Sequence, residues 1–281
     1  MKNKKTTVGI IGGTGQMGQF FRKVFEQNGC EVLVSSRNTE LKPVDCVKKS
    51  DVIIISVPIS VTVETIKSLA PYAKKDAVLC DLTSIKKEPC SVMLRHSKCE
   101  VIGMHPVFGP GVDSLKGQTI VVCPQRGDKW LKWMLNIFQK GSAKIKITTP
   151  EKHDKMMAII QGLNHFSTLN VAHAMKNIGI DLKETLEFTS PIYKLRIAMV
   201  GRILNQDPNL YASLEIDNSE NNEVLKAYME SSEKLFEIIK SKDKEKFLKY
   251  FTECSEFFGD FREESEKISN HLLNEIVKIE K

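Results

Sequence analysis

Residues 13–18 read Gly13-Thr14-Gly15-Gln16-Met17-Gly18, a G-x-G-x-x-G directly behind a β-branched run at 6–11 and directly ahead of an amphipathic segment carrying Met17, Phe20, Phe21, Val24 and Phe25. Each glycine answers a physical demand: a tight reversal after the strand, close approach of backbone to a pyrophosphate, and close packing of helix on strand. The helix that opens there turns its positive end toward the phosphates. A strand, this turn and a helix in that order predict a dinucleotide-binding βαβ unit.

The rest of the first half keeps the same rhythm. Short apolar or β-branched runs at 31–35, 51–57, 77–82, 101–104, 119–123 and 144–148 read as strands, several apolar throughout, as strands covered on both faces are. Helix-length segments at 16–28 and 61–70 lie between the early ones, which predicts a parallel sheet. The late strands crowd together, so the far edge is expected to be mixed. The predicted fold class is α/β: a Rossmann-type doubly wound sheet over residues 1–149, followed by an all-helical domain over 150–281.

The second strand ends in Val34-Ser35-Ser36-Arg37-Asn38, with no acid to hold an adenosine 2′-hydroxyl. Hydroxyls and a guanidinium fork suit a 2′-phosphate, so NADP is favoured over NAD. Asp51 comes too late to replace the missing acid, and Ser56 and Pro58 close the third strand where the nicotinamide ribose is expected to pass. Predicted cofactor contacts are therefore Gly13, Thr14, Gly15, Gln16, Met17, Gly18, Ser36, Arg37, Ser56 and Pro58.

Charge is unevenly spread. Up to Thr149 there are 23 Lys+Arg against 12 Asp+Glu, and beyond it 18 against 23, so the halves carry +11 and −5. A basic half admits nucleic acid, anionic lipid or small anions. The lysines form only doublets such as Lys48-Lys49 and Lys74-Lys75, with no aromatic-interleaved stripe, which argues against nucleic acid. Seven cysteines, an odd number without a C-x-x-C pair or a histidine at metal spacing, suggest neither a disulfide framework nor a metal site. The basic start, residues 1–7, leads into a stretch too short and glycine-broken for a signal sequence, and no apolar run could span a membrane. A soluble, cytoplasmic protein is expected.

The second half opens at Thr149-Pro150-Glu151, a capping hydroxyl, proline at the first helical position and an acid at the positive end. Without another proline to about residue 177, one helix of roughly 40 Å is predicted. Ser190-Pro191 repeats the start signal for a helix ending near Gln206. Phe247, Phe251, Cys254, Phe258 and Phe261 recur at steps of four and three, a stripe read as core or as a face for a second subunit.

Chemistry-bearing residues gather at two strand ends. Asp81-Leu-Thr-Ser-Ile-Lys86 follows the fourth strand, and Gly103-Met-His-Pro-Val-Phe-Gly-Pro110 the fifth. Carboxyl ends of parallel strands open on the ligand crevice. His105, fixed in extended backbone by Pro106, is the candidate proton acceptor. His96 and His271 read as solvated, and His153 and His173 as surface or capping residues. His165 faces small residues, either as a packed core histidine or, with Gln161, as part of a polar patch. Arg202 falls in line with Ile192, Leu195 and Met199, a guanidinium in an apolar stripe that needs a counter-ion. An internal acid such as Asp207 and a substrate carboxylate held bidentately satisfy that need equally well.

Seven stretches in order, Asp81-Leu-Thr-Ser-Ile-Lys86, Met104-His-Pro-Val-Phe-Gly-Pro110, Gln161-Gly-Leu-Asn-His-Phe166, Ser190-Pro-Ile-Tyr193, Ala198-Met-Val-Gly-Arg202, Gln206-Asp-Pro-Asn-Leu-Tyr211 and Phe258-Gly-Asp-Phe261, resemble the prephenate dehydrogenase family of tyrosine biosynthesis. The resemblance spans essentially the whole chain and is strongest to the dehydrogenase half of the enterobacterial bifunctional chorismate mutase/prephenate dehydrogenase. It implies oxidative decarboxylation of prephenate to 4-hydroxyphenylpyruvate with hydride transfer to NAD(P), on a Rossmann domain joined to a helical dimerisation domain, hence a homodimer. It further implies that His105 hydrogen-bonds the ring hydroxyl, Ser84 orients it beside the nicotinamide, and Arg202 holds a substrate carboxylate. Lys86, Gln161, His165 and Tyr211 match positions around the substrate. The first strand begins near residue 6 and the chain ends at Lys281, so mutase activity is not expected, and tyrosine feedback is not assumed.

Arogenate dehydrogenase, the same chemistry on the transaminated side chain and made more plausible by NADP, is the alternative within the family. A β-hydroxyacid dehydrogenase would need a lysine in the junction helix, and residues 156–170 have none. A non-catalytic NADP-binding sensor would not need His105, Ser84 and Arg202 together.

Overall fold

The computed structural model describes residues 5–279; the first four residues of the basic start and the last two of the chain lie outside it. The seven expected strands are all present: β1 (Thr7–Ile11), β2 (Glu31–Ser35), β3 (Val52–Ile55), β4 (Val78–Asp81), β5 (Glu100–Pro106), β6 (Thr119–Arg126) and β7 (Lys144–Ile147). They form one sheet in the order β2-β1-β3-β4-β5-β6-β7. Pairing is parallel from β2 through β5, antiparallel between β5 and β6, and parallel again from β6 to β7, the mixed far edge that the crowding of late strands predicts. In register, Ile11 lies beside Ser35 and Ile55, Ile55 beside Asp81, and Asp81 beside Gly103. The carboxyl ends of the central strands therefore carry the glycine turn, Ser56, residues 82–86 and His105.

Helices cover both faces because the central strands are apolar on both. Val52 and Ile54 point toward α1 (Gln16–Gln27) and α5 (Lys129–Lys140), into a cluster with Phe21, Phe25, Met134 and Phe138. Ile53 and Ile55 point the other way, toward α2 (Pro43–Lys49), α3 (Ile59–Leu69) and α4 (Lys87–His96), meeting Cys46, Val47, Ile66 and Met93. All seven cysteines are free thiols. Burial raises the thiol of Cys46 to about 11 and that of Cys123 to about 12, so these sulfurs pack as apolar groups.

The remaining elements are α6 (Pro150–Met157), a π-helical segment (Ala158–Leu163), α7 (Asn164–Ile178), α8 (Leu182–Glu187), α9 (Pro191–Leu204), α10 (Pro208–Ile216), α11 (Asn221–Lys240), α12 (Lys244–Phe258) and α13 (Phe261–Lys278). Thr149 caps α6 through Lys152 N at 3.3 Å and Ser190 caps α9 through Tyr193 N at 3.3 Å, with proline at the first position of each. Helical backbone continues from Pro150 to Ile178, but not as one α-helix. At Gly162 a Cβ would come within 2.5 Å of the Asn221 side chain, and the turn around it widens to π geometry.

The chain divides into two compact units. The first runs to Ala158 and takes in Ala212–Asn218; the second comprises Ile159–Tyr211 and the chain from Ser219 onward. In the second unit the phenylalanine stripe is not core: Phe251 is 64 % exposed, Phe247, Phe258 and Phe261 are exposed too, and Gly259 (φ 51°) ends α12 so that Phe261 belongs to α13. Among the described residues no helix is long and apolar enough to cross a membrane.

Candidate active site

The glycine turn is built by backbone. Gly12 N donates to Ser35 O at 2.7 Å, Gly15 N to Gly12 O at 3.0 Å, and the Gln19 side chain donates to Gly13 O at 2.6 Å. A Cβ on Gly18 would stand 2.7 Å from Gly13 Cα, and one on Gly13 would stand 2.8 Å from Val34 Cγ1, so these two glycines let α1 and β2 pack closely. Gly15 differs: its Cβ would meet only Gly12 O, at 3.4 Å, and the residue is exposed. No side chain caps α1 and no acid lies in its first turn, which leaves a cradle of amide groups and an open glycine suited to a pyrophosphate. At the end of β2, Ser36 N donates to Thr39 Oγ1 at 2.8 Å, folding a short turn from which Arg37 projects into solvent. Ser56 is half-buried and Pro58 exposed. The residues present fit a dinucleotide.

His105 occupies the end of β5 at 2 % exposure. Burial above all holds its pKa well below the ordinary histidine range, so the ring is neutral at physiological pH. Its Nδ1 lies 2.8 Å from Nε2 of His153, whose Nδ1 lies 2.6 Å from Asp154 Oδ1. His153 reads from the sequence as a surface or capping residue; at 1 % exposure it is a buried member of this chain. Neither it nor Asp154 stood out in the sequence, because the residues that give them meaning lie 48 and about 70 positions upstream. Asp154 also accepts Lys86 N at 2.8 Å and Lys87 N at 2.9 Å, capping α4 from α6.

Lys86, expected around the substrate, is instead turned into the protein. It is fully buried, and its ammonium pairs with Asp81 and donates to Met104 O at 2.8 Å and Thr83 Oγ1 at 3.3 Å. A buried ammonium must meet a counter-charge, and Asp81 at the end of β4 is placed to provide it. Asp81 also accepts from the Thr83 backbone and hydroxyl, so the pair closes the loop that presents half-buried Ser84. Gly103 makes room here: a Cβ would lie 2.4 Å from Cys90 Sγ and 3.2 Å from the Lys86 stem.

In the second unit, His165 packs edge-on against Tyr211, centroids 4.9 Å apart at 76°. Arg202 acts electrostatically on the Tyr211 phenol, whose pKa burial raises. Both rings are half-buried, as is Gln161 in the π segment. Arg202 itself is exposed, and so are Ile192 (62 %) and Met199 (53 %) of the supposed apolar stripe. Burial therefore does not force a counter-ion on Arg202, and its guanidinium is open to a ligand.

Family models describe the same division of labour. Residues 28–147 match the prephenate dehydrogenase nucleotide-binding domain and residues 149–253 its dimerization domain, so the glycine turn lies ahead of the matched stretch and rests on its own geometry. A protein of Methanocaldococcus jannaschii described as a "probable arogenate/prephenate dehydrogenase" is 35 % identical over 100 % of this chain and 68 % of its own length. The T-protein of Haemophilus influenzae is 36 % identical over 95 % of this chain and 71 % of its own. Among solved structures, prephenate dehydrogenase from Aquifex aeolicus in complex with hydroxyphenyl propionate and NAD+ shares the fold at a TM-score of 0.74 and 18 % identity, covering 91 % of this chain and 98 % of its own.

Proposed function

This chain belongs to the prephenate dehydrogenase family, and from that membership we propose that it oxidatively decarboxylates prephenate to 4-hydroxyphenylpyruvate, with NADP or NAD taking the hydride. The observation that carries this reading is His105, a buried imidazole held neutral at the carboxyl end of a central strand. Among the described residues its Nε2 has no hydrogen-bond partner, which leaves it for a substrate. Prephenate carries a hydroxyl and a hydrogen on one ring carbon and a carboxylate on the carbon opposite. Neutral Nε2 accepts the hydroxyl proton as hydride departs and CO2 is released, and returns it to the oxygen once the ring is aromatic. A bound nicotinamide supplies the hydride acceptor.

The other residues serve that step. Ser84 orients the hydroxyl, Arg202 holds a carboxylate, and Gln161, His165 and Tyr211 contact the remainder of the substrate. Lys86 supports the loop and lowers the proton affinity of His105 rather than touching substrate. Residues 1–149 hold the dinucleotide through 13–18, Ser56 and Pro58, with Ser36 and Arg37 selecting a 2′-phosphate and hence NADP. Residues 150–281 supply substrate contacts and a dimer surface, for which the exposed Phe251, Phe258 and Phe261 are the anchors. Sedimentation at the mass of one chain would refute the homodimer. A cytoplasmic location suits seven free thiols.

Arogenate is the second reading, favoured by the acid-free end of β2 and by the description of the M. jannaschii relative. Following absorbance at 340 nm with prephenate and with arogenate, each with NAD and NADP, separates the cases. The expected result is prephenate-dependent reduction, faster with NADP. Reduction with arogenate alone would exchange the substrate, and no reduction in any of the four mixtures would refute the dehydrogenase. Replacing Arg37 by Ala should raise the KM for NADP far more than that for NAD.

A further inference from the structure

We infer that His153 and Asp154 are positioning residues that keep the proton of His105 on Nδ1 and so leave the Nε2 lone pair free to act as base. The catalytic consequence rests on the dehydrogenase reading; the proton arrangement does not.

The argument is one of donors and acceptors. Asp154 accepts two backbone amides, Lys86 N and Lys87 N, as well as His153, and a carboxylate used in this way has no proton to offer. The 2.6 Å contact therefore requires a proton on His153 Nδ1. A neutral imidazole with its proton there carries a lone pair on Nε2. With His153 neutral, the 2.8 Å contact to His105 is filled by a proton on His105 Nδ1, which leaves His105 Nε2 as an acceptor.

His105, His153 and Asp154 are 2 %, 1 % and 1 % exposed, so bulk water does not reset the pattern. The Asn218 amide donates to Asp154 O at 2.9 Å and fixes the backbone from which the chain starts. Because Asp154 also caps α4, one carboxylate both sets the tautomer of the base and anchors the end of the loop that bears Ser84. The opposite polarity, with His153 donating from both nitrogens, would place the His105 proton on Nε2 and make that ring useless as a proton acceptor.

The full-length protein labelled with nitrogen-15 histidine reports the tautomer directly, with His105→Asn and His153→Gln assigning the signals. The expected spectrum shows His105 protonated at Nδ1 and bare at Nε2. A bare Nδ1 would overturn the proposal. In steady-state kinetics, His153→Leu removes the acceptor and should lower kcat roughly 10- to 100-fold while KM stays within about twofold. His153→Gln keeps a carbonyl for His105 and an amide for Asp154 and should recover most of that loss. A Leu variant with wild-type kcat, or a Gln variant no better than Leu, would also overturn it. If the Leu variant does not fold, the wild-type spectrum and the Gln variant decide. A wild-type protein inactive on prephenate and arogenate would remove the dehydrogenase reading, whereas an active one with a bare Nδ1 would remove the lock alone.

Discussion

Gly15 and Gly18 sit three residues apart in one motif, and their surroundings predict opposite failures on replacement by alanine. A Cβ at Gly18 meets Gly13 Cα at 2.7 Å and Gly12 O at 2.8 Å, backbone atoms that cannot swing aside. Overpacking of that kind costs about 1–3 kcal/mol. At about 2–4 °C per kcal/mol for a chain near this size, the melting temperature should fall by roughly 2–12 °C. Gly15, at φ −70° and ψ 162°, has a backbone that alanine adopts readily, and its Cβ approaches nothing closer than 3.4 Å. Gly15→Ala should therefore melt at or slightly above the wild type, since alanine restricts the unfolded chain by about 0.4–1 kcal/mol. Its methyl group instead fills the space over the open end of α1. Displacing a phosphate from one charge-assisted hydrogen bond costs about 1.5–3 kcal/mol, roughly 10- to 100-fold in Kd. Differential scanning fluorimetry without ligand and calorimetric titration with NADP and NAD read the two effects separately. Gly15→Ala binding both dinucleotides with wild-type affinity, or melting as low as Gly18→Ala, would refute the division of roles.

Other consequences follow from the same geometry. His105→Asn should lower kcat by about 10²–10⁴-fold with little change in KM, while Arg202→Gln should raise the substrate KM and spare kcat; steady-state rates distinguish them. Because His105 has a lower pKa in the folded chain than in the unfolded one, the unfolded state takes up its proton first as pH falls. Its contribution to stability is thus intact above about pH 6.5 and declines below it by up to about 1.4 kcal/mol per pH unit. Melting curves between neutral and mildly acidic pH should show that slope, and should lose part of it in His105→Asn. Lys86→Met strands the buried Asp81 carboxylate and should cost about 3–5 kcal/mol, much of it recovered by adding Asp81→Leu. An unchanged melting temperature with a raised substrate KM would return Lys86 to the substrate.

Local patterns carried the fold. The strand runs, the glycine turn and the proline-started helices are set by periodicities of two and 3.6, by steric room at glycine and by capping, all of which act within a few residues. For that reason the seven strands, the mixed edge, and the Thr149 and Ser190 caps were legible in the chain. His105 was legible as well, since Pro106 and the end of a strand are local facts. A stripe on a helix says which residues share a face, but not what covers that face. The stripe through Ile192, Met199 and Arg202 therefore read as interior, and the phenylalanines of α12 as either core or a subunit face, although both are exposed in the single chain.

What the sequence by itself determined was a dinucleotide cradle, an imidazole aimed from a strand end and a family of chemistry. Only the tertiary structure decided which protons and charges these groups meet. Parallel register brings Asp81 and Gly103 level, so the Lys86 ammonium pairs at the buried carboxyl end of β4 instead of reaching a ligand. The packing of α6 brings His153 and Asp154 against His105 across 48 residues of chain, turning an expected surface or capping histidine into a buried partner of His105. Hydrogen-bond direction and desolvation depend on neighbours in space, and no spacing along a chain encodes them.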